Sequence, residues 1–199
     1  MERSKHLSSF LCLAGCAIVV LVVVSTGFAD PVYNPANGHY YELVDFGIQT
    51  SWFDAKAAAE ASSYLGNAGY LATITSEQEN QFLVDTLGGA AITNHWLGGY
   101  QDTEDPAYVE PDGGWKWITG EAWTYDHWLE GQPDNGWREE DHLMMVWETT
   151  EGLWNDYGFD GQHLPYPATV GSIVEYVPEP ASMLVLAGGA LLTLRRKRR

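Results

Sequence analysis

Two segments of the chain carry the residues that begin, fill and end helices. Residues 55–64 are dense in alanine, which has the highest helix propensity of the common residues. Ser51 precedes this segment, and Asp54 follows Ser51 by three positions, which is close to the spacing of a capping box. The pattern predicts a first helix that begins after Ser51 and ends at Gly66 and Gly69.

A second helix and a series of short strands follow. Residues 77–87 predict a helix that is capped by Thr75 or Ser76 and stopped by Gly88 and Gly89. Apolar and aromatic residues then occur in short runs separated by polar, Gly-rich loops, which is typical of strands. The strands predicted before, between and after the helices are 39–44, 69–74, 96–99, 115–118, 143–147 and 172–176. Two early helices with short antiparallel strands and long loops predict an α+β domain.

Both ends of the chain have the composition of targeting signals. Residues 1–29 combine basic residues, an apolar run and small residues before Asp30, which predicts a secretory signal peptide. Residues 177–199 contain Pro-Glu-Pro, a 12-residue apolar run and five terminal basic residues. That run is short against the about 20 residues of a full membrane span. The order of the three parts resembles the PEP-CTERM sorting signal of Gram-negative bacteria.

The resemblance to this sorting signal implies a partner and a location. In such proteins an exosortase recognises the signal and removes the tail after transient membrane anchoring. We therefore expect residues 30–176 to form the mature domain, exported and either released or held at the cell surface.

The body of the chain is strongly acidic and lacks cysteine. Residues 30–178 hold 25 acidic residues against 3 basic ones, within a whole-chain net charge of -17. Such a surface repels phosphate backbones, which excludes nucleic acid as a partner. Both cysteines, Cys12 and Cys16, lie in the N-terminal apolar run, so the body has no disulfide, thiol nucleophile or zinc–thiolate site.

Several motifs occur along the body in a fixed order: Trp52-x-x-Ala55, Gly69-x-Leu71-Ala72-x-Ile74, Trp96-Leu97-Gly98-Gly99, Trp117-x-Thr119-Gly120-Glu121, Gln132-Pro133-Asp134, Trp154-Asn155-Asp156 and Ile173-Val174-Glu175. This order resembles the C-type lectin-like domain and covers roughly residues 38–176. It implies two helices, short β-sheets and a long calcium-binding loop. The family's half-cystines would fall near Ala59, Val174, His142 and Phe159, so Ala–Val and His–Phe contacts are expected instead of disulfides.

Hard oxygen donors are concentrated in the long loop and the strand after it. Ca²⁺ takes six to eight oxygen ligands from carboxylates, amides and carbonyls, and it tolerates flexible geometry better than Mg²⁺. The resemblance implies one Ca²⁺ that also coordinates two vicinal hydroxyls of a sugar, with the ligands Gln132, Asp134, Glu140, Asn155 and Asp156. It also implies a cis bond before Pro133. The alternative is that these acids are only a solvated face of an acidic protein.

A second, structural Ca²⁺ is an open possibility. Its expected ligands are Asp141, Glu140, Asn135 and Asp102, with one more from Asp105, Glu110 or Asp112.

The resemblance also implies a sugar class. In the family Gln-Pro-Asp accompanies galactose-type ligands, so Gln132 and Asp134 predict galactose or N-acetylgalactosamine. Trp137 either stacks on the sugar or packs the loop. Trp128 and His127 are expected in the core below the site.

Two other functions compete with calcium-dependent sugar binding. The first is an adhesion or matrix-structural role without sugar. The second is a hydrolase using Glu139 and Glu140, but no nucleophile–base pair with an orienting group is evident, and we expect no enzymatic activity.

Overall fold

The computed structural model describes residues 30–136, 139–146, 148–158 and 170–179. The predicted signal peptide, Trp137, Phe159 and residues 180–199 of the predicted sorting signal lie outside these ranges. Within the described ranges, no helix has both the length and the apolar character that crossing a bilayer requires.

The described chain forms two helices and nine strands, in an α+β arrangement. The helices are α1 (Trp52–Ala61) and α2 (Glu77–Leu83), and a π-helical turn, Val84–Gly88, continues α2. The strands are β1 (Val32–Tyr33), β2 (Tyr40–Asp45), β3 (Ser63–Tyr64), β4 (Asn67–Leu71), β5 (His95–Gln101), β6 (Trp115–Trp117), β7 (His142–Met145), β8 (Trp154–Tyr157) and β9 (Gly171–Tyr176). The fold class expected from the sequence is confirmed.

Helix α1 begins as predicted and ends earlier. The Ser51 hydroxyl accepts a hydrogen bond from the Asp54 N–H at 3.1 Å, which caps the helix. The expected end at Gly66 and Gly69 is wrong, because Ser62 turns into an extended conformation and donates its N–H to the Ala59 carbonyl. Gly69 instead lies in β4, where a Cβ would come within 2.8 Å of the Ala59 carbonyl oxygen and would also meet the Ser62 hydroxyl. The glycine therefore permits close packing of a hairpin.

Helix α2 shows which of two candidate residues is the cap. The Glu79 N–H donates to the Ser76 hydroxyl at 3.3 Å, and the Glu79 carboxylate accepts the Thr75 N–H at 2.8 Å. Ser76 is therefore the N-cap. The Glu79 side chain in turn accepts a backbone N–H just before the helix, as the N3 residue of a capping box does. The helical segment reaches Gly88, as predicted, but its last five residues form the π-helical turn.

One mixed sheet connects the two halves of the domain. The strand order is β1-β2-β9-β5-β7-β8, with β4 paired to β9 and β6 paired to β5. All of these pairings are antiparallel except that of β5 with β9, which is parallel and aligns His95 with Gly171. The expectation of purely antiparallel strands is corrected here, since the chain returns from the long loop to place β9 between β2 and β5.

Apolar packing occupies the places where the family has disulfides. Ala59 and Val174 lie in one buried cluster with Trp52, so that expected replacement is confirmed. The His142 ring lies 4.4 Å from the Trp52 ring and 5.3 Å from the Phe53 ring. A contact of His142 with Phe159 falls outside the described residues.

A cluster of indole rings supports the long loop from below. Trp128 packs on Trp154 in the buried core and forms a bridge with it, as expected for a residue beneath the site. The backbone of Trp154 exchanges hydrogen bonds of 2.8–2.9 Å with His127 and Leu129. The start of the loop is therefore fixed to β8, the strand that carries the second half of the site.

Candidate metal centre

Strand β8 supplies two buried polar side chains. Asn155 is 4% exposed and Asp156 is 1% exposed. Pairing with β7 aligns Asn155 with Met144 and Asp156 with Leu143, on the edge strand of the sheet. Because strand backbone is rigid and paired, it holds these two donors in fixed positions.

The loop before β7 wraps around the Asp156 carboxylate. Asp156 accepts N–H groups from Asp134 at 3.1 Å and from Asn135 at 2.7 Å. The peptide bond between Gln132 and Pro133 is cis, as expected. These contacts bind the Gln-Pro-Asp segment directly to the end of β8.

A tight turn then brings Glu140 back to Asp134. Asn135 adopts a left-handed conformation with φ 43°, and its side chain accepts the Glu140 N–H at 3.3 Å. The Gly136 N–H donates to Asp134 Oδ1 at 3.0 Å and to Glu140 Oε2 at 2.6 Å. One glycine N–H therefore joins two of the predicted ligands.

Three carboxylates converge at this point. Asp134, Glu140 and Asp156 each place an oxygen within 4.8 Å of the others. Burial raises the pKa of Asp156 to about 6, with the charge of Asp134 adding to the rise and the N–H groups of Asn135 and Asp134 opposing it. Glu140 and Asp156 are buried while Asp134 is exposed, and negative charges this close together, two of them out of water, favour a bound cation or a bound proton.

The amide of Gln132 provides independent evidence for a missing partner. Its Oε1 atom is buried and has no hydrogen-bond partner among the described residues. A buried acceptor left without a partner costs about 1–3 kcal/mol. An oxygen-seeking cation would supply the partner that Oε1 lacks.

The donors open onto a cleft of about 340 Å³. Four predicted ligands line it, namely Gln132, Asp134, Glu140 and Asn155. Apolar wall is contributed by Leu129, Val146 and Tyr157, and two further acids, Glu130 and Glu148, also line it. A volume in this range is typical of small-ligand sites.

The donor set fits calcium. All five predicted ligands carry oxygen, and carboxylates are joined by amide oxygens as Ca²⁺ coordination requires. The geometry agrees, because loop and strand bring the three carboxylates of the set together, and the Gln132 oxygen in the same cleft has no partner among the described residues. Softer metals that select thiolates find no thiol in the body.

Asp141 lies next to the centre but outside the group of three carboxylates. Its carbonyl accepts the Gln101 N–H at 2.8 Å, which ties it to β5. Burial raises the pKa of its carboxyl, and the nearby charges of Glu110 and Glu139 contribute. Its assignment as a ligand remains a prediction.

At the expected second calcium site a lysine contacts two of the acids. The Lys116 ammonium lies 2.7 Å from Asp102 and 2.6 Å from Asp105. These hydrogen bonds raise the pKa of Lys116 and lower those of both aspartates. The sequence analysis missed this pairing. Its one signal was that Lys116 is among only 3 basic residues in the body.

A second acidic group, also missed from the sequence, lies at the far side of the sheet. His39, Glu79 and Glu175 place ligand atoms within 4.8 Å of one another. Tyr41 donates to Glu79, while Thr73 donates its N–H to Glu175 at 3.0 Å. All four carboxylate oxygens accept protein hydrogen bonds, so this is a satisfied network that joins the N-terminal turn to β9.

Comparisons with known proteins agree with this architecture. Residues 48–164 match the family described as Lectin C-type domain. Lectin BRA-3 of Megabalanus rosa is 29% identical over 147 residues, which cover 70% of this chain and 81% of that protein. Halomucin of Haloquadratum walsbyi is 33% identical over 138 residues, which cover 68% of this chain and only 1% of halomucin.

A solved structure shares the fold. The C-type lectin CEL-I from Cucumaria echinata superposes with a TM-score of 0.56 at 22% identity, covering 76% of this chain and 97% of that one. At this identity the likeness establishes the fold alone.

Proposed function

Because the chain belongs to the C-type lectin domain family, we propose that it binds galactose-type sugars through one Ca²⁺. The lectin relatives support carbohydrate binding in general and a binding rather than a catalytic role. The observation that carries the calcium proposal is a buried Gln132 oxygen, which has no partner among the described residues and lines the same cleft as the converging carboxylates. An isolated acidic patch would not explain that oxygen.

The side chains of the cleft have two tasks in this proposal. When bound, the cation supplies coordination for two vicinal hydroxyl oxygens of the sugar. The amides of Gln132 and Asn155 can donate hydrogen bonds to those hydroxyls, and the carboxylates of Asp134 and Glu140 can accept the hydroxyl protons. Leu129, which is partly exposed, offers apolar surface for the C–H face of a ring, while Val146 and Tyr157 lie buried behind the cleft wall.

The galactose preference rests on the order of amide and acid in the loop. Gln132 precedes Pro133 and Asp134 follows it, so a donor and an acceptor occupy fixed sides of the cleft. Exchanging the amide at 132 with the carboxylate at 134 should change which arrangement of sugar hydroxyls fits, because each hydroxyl would then meet an acceptor in place of a donor, or a donor in place of an acceptor. Trp137 as a stacking platform also stays a prediction.

We also propose that the domain is exported. Residues 1–29 would direct secretion, and residues 177–199 would anchor the chain transiently until an exosortase-type enzyme removes the tail. Membrane and medium fractions of cells expressing the full chain, or a chain ending at residue 179, test this. The shortened chain should appear folded in the medium, and retention in the membrane fraction would contradict the proposal.

Binding to a glycan array with and without chelator tests the function. The purified chain should bind terminal galactose and N-acetylgalactosamine in millimolar calcium and lose them in chelator. Gln132→Glu with Asp134→Asn should keep calcium and move the preference toward mannose. Glu104→Gln, on an exposed loop away from the cleft, is the matched control. Calcium binding without any glycan bound would favour the adhesion or matrix-structural alternative.

A further inference from the structure

Two acids on the cleft wall have no part in the proposed ligand set. Glu130 lies two residues before Gln132, Glu148 follows β7, and both line the cleft. Both side chains are exposed to solvent. The described part of the chain gives neither carboxylate an ion-pair partner. Their charge is therefore available to a bound molecule.

Among the described residues around the cleft, no basic side chain pairs with these two charges. Residues 126–158 contain nine acidic residues and one basic residue, Arg138. Among the described residues that line the cleft, four are acidic and none is Lys, Arg or His. A divalent cation offsets two negative charges, whereas three carboxylates converge where the cation is expected, so one negative charge is left over. The cleft thus keeps a negative potential when the metal is bound, and that potential attracts cations.

We propose that this cleft selects sugars that carry a free amino group and rejects sugars that carry carboxylate or sulfate. This inference rests on the proposed function and names the ligand class of the same site. Galactosamine is the simplest member of the class, because it keeps the 3- and 4-hydroxyls of galactose for the metal and presents an ammonium at the adjacent carbon. Glu130 and Glu148 are the residues that confer the preference.

The expected effect is moderate and depends on salt. Opposite unit charges about 4 Å apart in water attract each other enough for roughly a fivefold change in affinity. Two exposed carboxylates should therefore favour galactosamine over galactose by about five- to tenfold at low salt. Screening over about 8 Å at physiological ionic strength should reduce the ratio.

Competition for immobilised galactose measures this preference. The competitors are galactose, galactosamine, N-acetylgalactosamine and galacturonate, at a pH where the free amine is protonated. N-acetylgalactosamine separates the effect of charge from that of the substituent at the same carbon. The chains compared are the unchanged protein, Glu130→Gln with Glu148→Gln, and the control Glu104→Gln.

The unchanged protein and the control should rank galactosamine first and galacturonate last, and the double variant should bring the three unacetylated sugars close together. Calcium-induced stabilisation should be the same in all chains, since neither glutamate is a proposed ligand. Equal binding of galactosamine and galactose, an unchanged preference in the double variant, or loss of its calcium response would overturn the inference. Failure of the unchanged protein to bind galactose at all would overturn the proposed function itself.

Discussion

Replacing Asp156 by asparagine should stabilise the metal-free protein and remove its response to calcium. The side chain is 1% exposed, and burial raises its pKa from 3.8 to about 6. At 1.36 kcal/mol per pKa unit, this rise means that ionised Asp156 destabilises the metal-free fold by about 3 kcal/mol at neutral pH. Asparagine keeps one acceptor for the loop N–H groups and loses the other, which costs about 0.5–1.5 kcal/mol. The net gain for Asp156→Asn is therefore about 1.5–2.5 kcal/mol.

The pH dependence follows from the direction of the pKa shift. The folded state binds this proton more tightly than the unfolded state, so metal-free stability falls as pH rises from 3.8 to about 6 and is lowest above that. Asp156→Asn should not show this loss of stability as pH rises. Glu104→Gln, at an exposed position outside the cleft and outside both expected ligand sets, should behave like the unchanged protein.

Urea unfolding in chelator and in excess calcium, at pH 7 and pH 5, measures both effects. In calcium at a hundredfold excess over its dissociation constant, the unchanged protein should gain about 2.7 kcal/mol. The variant should gain little, because it lacks a charged ligand. The reasoning is refuted if Asp156→Asn unfolds more easily than the unchanged protein in chelator at pH 7, or if calcium stabilises both equally.

Three further predictions concern positions around the centre. Lys116→Gln should lower the melting temperature at low salt because it leaves two aspartates unpaired, and this decrease should be smaller in high salt. Lys56→Gln, which breaks a single exposed ion pair, should lower the melting temperature less. Burial lowers the pKa of His95, so the unfolded chain binds the proton more tightly, and stability should fall as pH drops below 6.5; His95→Gln should flatten that decline in urea titrations. Gly69→Ala should destabilise the fold by about 1–3 kcal/mol in the same assay, because the new Cβ would lie 2.8 Å from the Ala59 carbonyl oxygen, a backbone atom that cannot rotate away, and wild-type stability would contradict this packing.

Local signals predicted where the helices begin but not how α1 ends. The Ser51 and Ser76 hydroxyls each accept the N–H of the residue three positions later, so their capping roles can be predicted from spacing along the sequence. The end of α1 depends on Ser62 and on the packing of Gly69 against it, seven residues later in a hairpin. The π-helical turn after α2 and the parallel pairing of β5 with β9 likewise have no local signature.

The sequence drew attention to residues that converge in the structure, but it did not reveal the contacts around them. Gln132, Asp134 and Asp156 lie in short motifs whose order along the chain identifies them. Lys116 was missed because its partners lie 14 and 11 positions away, in a loop whose path the sequence does not reveal. The network of Glu79 and Glu175 was missed for the same reason, since β9 returns from the far end of the chain to complete it.

The most direct test of the account is a calorimetric titration of the purified chain with galactose, in calcium and in chelator. We expect a dissociation constant of about millimolar in calcium, because a monosaccharide buries few atoms, and no measurable heat of binding in chelator. Mannose should bind more weakly than galactose to the unchanged protein and more tightly than galactose to Gln132→Glu with Asp134→Asn. Galactose binding that persists in chelator, or a preference of the unchanged protein for mannose, would contradict the central claim.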